Sequence, residues 1–298
     1  MKNSEIKKIL VPYDFTETSE RAVTEAITLA KLLKADIILI HIIEFKAYQF
    51  SVLPDIQTVF PLPPEFEIAV KIRMDTIQKR IEKEFNMTPE VFIITGNVDS
   101  EIINFSKNKN IDLIVMGTHG TSGYTELFIG SNAQRVVTLS DIPVLTIQKE
   151  KKKVGFSNIL LPIDDSLHSR EKVNLAINIA DLFGAQINIL GLPHTSNKKE
   201  LDKFKIKLES VEKIVHADNL PYKTTITQGH NLAQSAMDYA VKNQCDLIVI
   251  NSGHESRTTG IFLGAFAQQI VNHSKIPVLS FKHTEGHYSI DTPGFGIE

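Results

Sequence analysis

The sequence predicts an α/β protein built from two tandem domains, each a parallel β-sheet covered by helices on both faces. Two observations carry this. Four strand-like runs occur twice in the same order: Ile9-Leu10-Val11-Pro12-Tyr13-Asp14 returns as Ile159-Leu160-Leu161-Pro162-Ile163-Asp164, and Asp36-Ile37-Ile38-Leu39-Ile40 as Ala185-Gln186-Ile187-Asn188-Ile189-Leu190. Asp112 to Met116 returns as Asp246 to Ile250, and Asp141 to Leu145 as Lys275 to Leu279, so the chain is an internal duplication. The runs are also apolar on both faces and alternate with amphipathic helices, the signature of a doubly covered parallel sheet.

Each element of the first half follows from local pattern. A strand over Ile9 to Val11 leads into a helix from about Thr18 to Leu33, with Ala22, Ala26, Leu29, Ala30 and Leu33 as its apolar stripe. Thr16 or Thr18 is placed to cap it, with Glu17 and Glu20 at the positive helix end. A strand over Ile37 to Ile43 precedes an excursion rich in proline and aromatics, Phe45 to Pro64. A helix over Glu65 to Phe85, a strand over Glu90 to Thr95, a helix over Ser100 to Lys107 and a strand over Leu113 to Met116 follow. A glycine loop, a helix over Ser131 to Leu139 and a strand over Val144 to Ile147 complete the half. The domains are placed at 1–150 and 151–284, joined near Glu150 to Phe156, with a tail over 285–298 that wraps a neighbour or frays.

Composition bounds the function. With 298 residues, 42% hydrophobic and 22% charged, the chain reads as globular and large enough for two cores. A net charge of -3 disfavours a general nucleic-acid binder, and the basic cluster Lys149, Lys151, Lys152, Lys153 reads as a solvated linker. No run approaches the roughly 20 apolar residues of a membrane helix, and no apolar leader segment follows Met1. A lone cysteine, Cys245, beside the apolar run Leu247 to Ile250 reads as a buried structural thiol in a reducing compartment; the expectation is a cytoplasmic protein.

Chemistry concentrates at three predicted strand ends: Pro12-Tyr13-Asp14, His41-Ile42, and the segment after Met116. Gly117-Thr118-His119-Gly120 is followed after nine residues by Gly130-Ser131, and Asn132 continues into a helix. Glycines admit an anion close to the backbone, and a helix start offers amides without intrahelical partners. The loop lacks the Gly-Lys-Ser/Thr of motor ATPases, and it follows a late strand rather than the first. Asp14 is either a turn residue or an acceptor for a base or ribose. Arg135 faces either phosphates or solvent, while His41 and His119 lack a second ligand at metal spacing and read as packed or loop residues. Tyr48, Phe50 and Phe60 are lid candidates, with a core edge or subunit contact as the alternatives.

On Gly117, Gly120, Gly130 and Ser131, together with the opening Ile9 to Phe15, the first half closely resembles the universal stress protein family in its ATP-binding branch. The resemblance extends to both halves and implies two tandem open five-stranded parallel α/β sandwich domains, Rossmann-like and similar to adenine nucleotide alpha hydrolases. It implies ATP or another adenine nucleotide, with Mg, held by the loop and helix start, and adenine surrounded by Asp14, Ile42 and Met116. The nucleotide-binding set is then Pro12, Tyr13, Asp14, Ile42, Met116, Gly117, Thr118, His119, Gly120, Gly130, Ser131 and Asn132, with no catalytic or metal-ligating residue assigned.

The second half departs from this pattern. At matched spacing Gly117 becomes Asn251, Gly120 becomes His254 and Ser131 becomes Ala265, while Gly264 alone is kept. Losing several charge-assisted phosphate bonds, each about 1.5–3 kcal/mol, leaves its nucleotide binding weak or absent, although His254 and Arg257 offer a route to another anion. The expectation is a nucleotide-dependent stress-response regulator with one site per chain; weak ATP hydrolysis or phosphoryl transfer, and a nucleotide-independent scaffold, are the alternatives. The resemblance also implies that the last strands pair, so Val144 to Ile147 and Val278 to Phe281 are expected to join the domains, and a homodimer is a further assembly to expect.

Overall fold

A computed structural model describes residues 6–44, 64–118, 129–149, 153–170, 172–256 and 260–282. The aromatic lid candidates Tyr48, Phe50 and Phe60, the loop residues His119 and Gly120, Arg257 and the tail lie outside the described residues. The first half runs β1 (Lys8–Pro12), α1 (Glu17–Leu33), β2 (Asp36–Glu44), α2 (Pro64–Phe85), β3 (Glu90–Gly96), α3 (Val98–Asn108), β4 (Leu113–Gly117), α4 (Ser131–Leu139) and β5 (Val144–Ile147). The second runs β6 (Asn158–Asp164), a 3-10 turn (Leu167–Arg170), α5 (Val173–Phe183), β7 (Gln186–Leu192), α6 (Lys198–Ala217), β8 (Tyr222–Ile226), α7 (Leu232–Lys242) and β9 (Leu247–Asn251). A hairpin of β10 (His254–Ser256) and β11 (Gly260–Phe262), then α8 (Ala265–His273) and β12 (Val278–Phe281), complete it.

Ten of the strands form one sheet in the order β3-β2-β1-β4-β5-β12-β9-β6-β7-β8, with β10 and β11 apart from it, so the two halves share a strand order. Within this sheet every pairing inside a half is parallel, as helical crossovers require. Ile9, Leu10 and Val11 at the centre of β1 are all 0% exposed, because residues pointing either way meet a helix layer. One buried layer gathers Ala22, Ala26, Met74, Ala176 and Leu208 from the helices on one face. The opposite layer gathers Ile102, Val136, Ala236 and Ile270.

Local chemistry sets the helix limits. Thr16 is the cap of α1, its hydroxyl accepting the Ser19 amide at 3.3 Å. The helix ends at Lys34 in the left-handed region (φ 55°), a place the second half gives to Gly184 (φ 63°). Asn97 caps α3 in the same way through the Ser100 amide.

The halves are joined as the repeat suggests. β5 and β12 pair antiparallel, with Leu145 opposite Leu279. Two buried hydroxyls reinforce the seam: Thr146 donates to the Val278 carbonyl at 3.1 Å, and Ser280 donates to the Val144 carbonyl at 3.0 Å. At the linker, Gly155 takes φ 77° and donates its amide to the buried carboxylate of Glu25 at 2.9 Å. Two features of the second half have no counterpart in the sequence reading: the β10–β11 hairpin, and the 3-10 turn that replaces the first turn of the helix.

Candidate functional site

Strand order reverses at β1, which has β2 on one side and β4 on the other. Main-chain groups splay apart at such a switch point, leaving a crevice at the carboxyl ends of the strands. Here a cleft of about 460 Å3 opens over the ends of β1, β2 and β4 and the start of α4. Ten of the predicted positions line it: Pro12, Tyr13, Asp14, Ile42, Met116, Gly117, Thr118, Gly130, Ser131 and Asn132.

The end of the cleft at the start of α4 is built from backbone. Gly130 caps α4 with φ -59° and ψ 145° and provides no side-chain hydrogen bond, so the first-turn amides have no side-chain cap. The loop is anchored by the Gly130 amide on the Thr118 carbonyl at 2.6 Å and by the Thr118 amide on the Ile147 carbonyl at 3.1 Å. Gly117 is required for space: a Cβ there would lie 2.9 Å from the carbonyl carbon, Cβ and Oγ1 of Thr18. Backbone atoms of α1 are among those contacts, and no rotamer change relieves them.

Asp14 fixes the turn and also lines the cleft. Its Oδ1 accepts the Thr16 amide at 3.1 Å and the Thr16 hydroxyl at 2.5 Å, which fixes the turn. Its Oδ2 has no hydrogen-bond partner among the described residues, and the side chain lines the cleft. His41 is packed, but it also lines the cavity: Nδ1 donates to the Tyr13 carbonyl at 2.7 Å. That bond leaves Nε2 as the acceptor of a neutral ring, and burial holds the imidazole below its ordinary range against the bond to Tyr13 and the charge of Asp14. Behind the wall, the buried Tyr13 hydroxyl donates to Glu20, which pairs with Arg80 of α2. Burial first, then the bond to Glu20, raises the phenol well above its ordinary range.

Of the two readings of Arg135, the structure favours the solvent-facing one: its exposed guanidinium lies 3.5 Å from the buried carboxylate of Asp99 on α3 and is not among the described residues lining the cleft. Sequence reasoning missed Ser19, Val98, Ile102 and Phe66, which line the cavity from α1, α3 and α2. Only Ser19 carries a local signal, its place in the first turn after Asp14.

The sequence profile of the universal stress protein family matches residues 5–148 and again residues 155–282. The chain belongs to the universal stress protein family. Universal stress protein MJ0577 of Methanocaldococcus jannaschii is 29% identical over 156 residues, which cover 48% of this chain and 96% of that relative. Universal stress protein MJ0531 of the same organism is 30% identical over 155 residues, covering 49% of this chain and 85% of its own. A crystal structure of a universal stress protein from Archaeoglobus fulgidus matches 93% of this chain and 99% of its own, with a TM-score of 0.72 and 21% identity, a likeness of fold. Membership in the universal stress protein family supports a stress-response role. No helix among the described residues is long and apolar enough to cross a membrane.

The two universal stress protein domains differ at their clefts. The second cavity, at the ends of β6 and β9, measures about 240 Å3 and is lined by Asp164, Lys172, His194, Asn251, Gly264 and Ala265 among others. Gly264 repeats the cap geometry of Gly130 (φ -57°, ψ 147°), so the helix start persists in the second half. Among the described residues no cluster of three His, Cys, Asp or Glu side chains is arranged to hold a metal ion.

Proposed function

We propose that this universal stress protein binds one adenine nucleotide per chain, ATP carrying a divalent cation, in the cleft of its first domain. Occupancy then biases its conformation or partner choice in a stress response. The observation that carries this reading is the meeting of unlike groups in one 460 Å3 cavity: the glycine-capped start of α4, the close-packed Gly117 and the outward oxygen of Asp14. The α4 amides suit a polyphosphate, which brings its own cation. Ile42 and Met116 supply apolar faces for a base, and Asp14 Oδ2 accepts a hydrogen bond from a base or ribose. In this reading the second domain is a partner and not a second site.

A ligand shifts a regulator only by binding its two states unequally. ATP hydrolysis stands below binding, since the charged residues among those described as lining the cleft are Asp14 and Glu44, neither of which neutralises a transferring phosphoryl group. Equilibrium dialysis of the full chain against ATP and GTP tests the reading. Retention of ATP with at least about tenfold weaker GTP, a difference of roughly 1.4 kcal/mol, is expected; equal retention of the two, or of neither, contradicts it.

A further inference from the structure

Pro12, Asp14, Ser19 and Ala22 of the first half align with Pro162, Asp164, Ser169 and Lys172 of the second. Ala22 is buried and does not reach the first cleft. Lys172 is 4% exposed and lines the second cleft beside Asp164. An ammonium taken out of water is held only where charge and hydrogen bonds meet it. Lys172 Nζ donates to the Ser169 carbonyl at 3.0 Å. Asp164 Oδ1 in turn accepts the Ser166 amide at 3.0 Å and the Ser166 hydroxyl at 2.6 Å. Burial works against ionisation of Asp164, yet the Ser166 bonds and the charge of Lys172 hold its carboxyl below the usual range. The second carboxylate therefore finds inside the chain a cation that no described residue lining the first cleft offers to Asp14.

A change at the strand end accompanies that lysine. Gly117 has no space for a Cβ against Thr18, and Asn251, at the matching end of β9, has one. The helical turn that would carry the counterpart of Thr18 is absent from the second half. Residues Leu167–Arg170 wind as a 3-10 turn, and α5 starts at Val173, the counterpart of Val23 within α1. With the helix start cut back, residue 172 becomes the cap position of α5 and its side chain enters the cavity.

We propose that Lys172 is a tethered occupant of the second cleft and that, with Asn251, it bars a nucleoside from the second domain. The choice of ligand rests on the reading of the first site. The altered glycine loop is a separate defect at the phosphate end, where Ala265 replaces Ser131. Removing Lys172 and Asn251 therefore opens the nucleoside end alone, and a restored site gains little from extra phosphates.

Calorimetric titration of full-length wild type and of the Lys172→Ala/Asn251→Gly variant with AMP and with Mg·ATP tests this. Wild type is expected to show a single ATP site, and the variant a second site that AMP and ATP fill within about threefold of each other. A folded variant that keeps the wild-type stoichiometry overturns the proposal and leaves the first-site reading standing. A wild type without any ATP site, beside a variant that gains one, upholds the proposal and defeats that reading; two sites in wild type overturn both. Amine acylation of native wild type followed by peptide mass analysis needs no variant. Lys172 is expected to react far more slowly than the exposed Lys203, and equal rates overturn the proposal.

Discussion

The guanidinium of Arg73 lies 3.7 Å from the ring centroid of Phe15, a residue held in the left-handed backbone region at φ 65°. A bulky side chain in that region is strained by roughly 1–2 kcal/mol and persists only where its surroundings impose it. The Phe15 ring also packs on Tyr13 and His41, with centroids 5.2 Å and 4.8 Å away. A helix of one layer thus pins the turn that points Asp14 into the cleft. In the second half the cation from the corresponding helix acts by other means: Lys207 donates to the carbonyls of Asp164 at 2.7 Å and Ser166 at 2.6 Å.

Arg73→Ala is therefore expected to lower the unfolding free energy by about 0.5–2 kcal/mol in urea titrations, with a several-fold loss of nucleotide affinity. Arg73→Lys restores only part of either, because an ammonium lacks the planar face that stacks. Unchanged stability and affinity in Arg73→Ala would show that the strained turn is held without it.

His41 gives a pH dependence of known sign. Its imidazole is half-buried, and desolvation holds it below its ordinary range when folded, whereas in the unfolded chain it titrates at about 6.5. Between those values the unfolded state binds more protons, so stability is lost as pH falls below the unfolded value. Urea unfolding at neutral and mildly acidic pH should show a larger acid-induced drop in wild type than in His41→Asn. Equal drops would mean that the ring is not held neutral.

Asp141 couples the halves. Lys282, at the end of β12 and 6% exposed, places Nζ 2.8 Å from Asp141 Oδ1, while Lys107 lies 3.0 Å from Oδ2. Asp141→Ala strips a buried ammonium of its carboxylate and is expected to cost about 1–3 kcal/mol. Adding Lys282→Met, which removes the stranded charge at similar volume, recovers much of that loss in equilibrium unfolding. If the double variant is no more stable than the single, the pair does not bridge the halves in solution.

Much of this architecture is legible in the sequence because the forces responsible are local or periodic. Ile9 to Val11 and Leu113 to Met116 are apolar on both faces, and that alone places them at the centre of a covered sheet. Ten cleft residues are legible because the topology of a parallel sheet carries strand ends to one edge. What stays hidden depends on contacts between elements distant in sequence. Val98 and Ile102 look like any apolar pair one helical turn apart until α3 sets them over the ends of β1 and β2. Arg135 sits on a helix compatible with a phosphate contact, and only the fold shows Asp99 taking it. Lys172 carries no signal in the sequence, because its burial follows from the 3-10 turn before it and the late start of α5.

Cys245 provides a check on the second core. It is 4% exposed, and burial, aided by the neighbouring Asp246, leaves its thiol pushed up to about 12. A thiol-specific reagent should label it stoichiometrically in denaturant and scarcely at all in the native protein. Prompt native labelling would contradict its place beneath β9.

The central claim is that the first domain alone takes the nucleotide, because Gly117 lets Thr18 of α1 pack directly against the end of β4 beside the cleft. Isothermal titration of full-length wild type and Gly117→Asn with Mg·ATP tests it most directly. About one site per chain in wild type, lost in a variant that still melts cooperatively, is the predicted result. Two equal sites in wild type, none at all, or undiminished binding by Gly117→Asn would contradict the account.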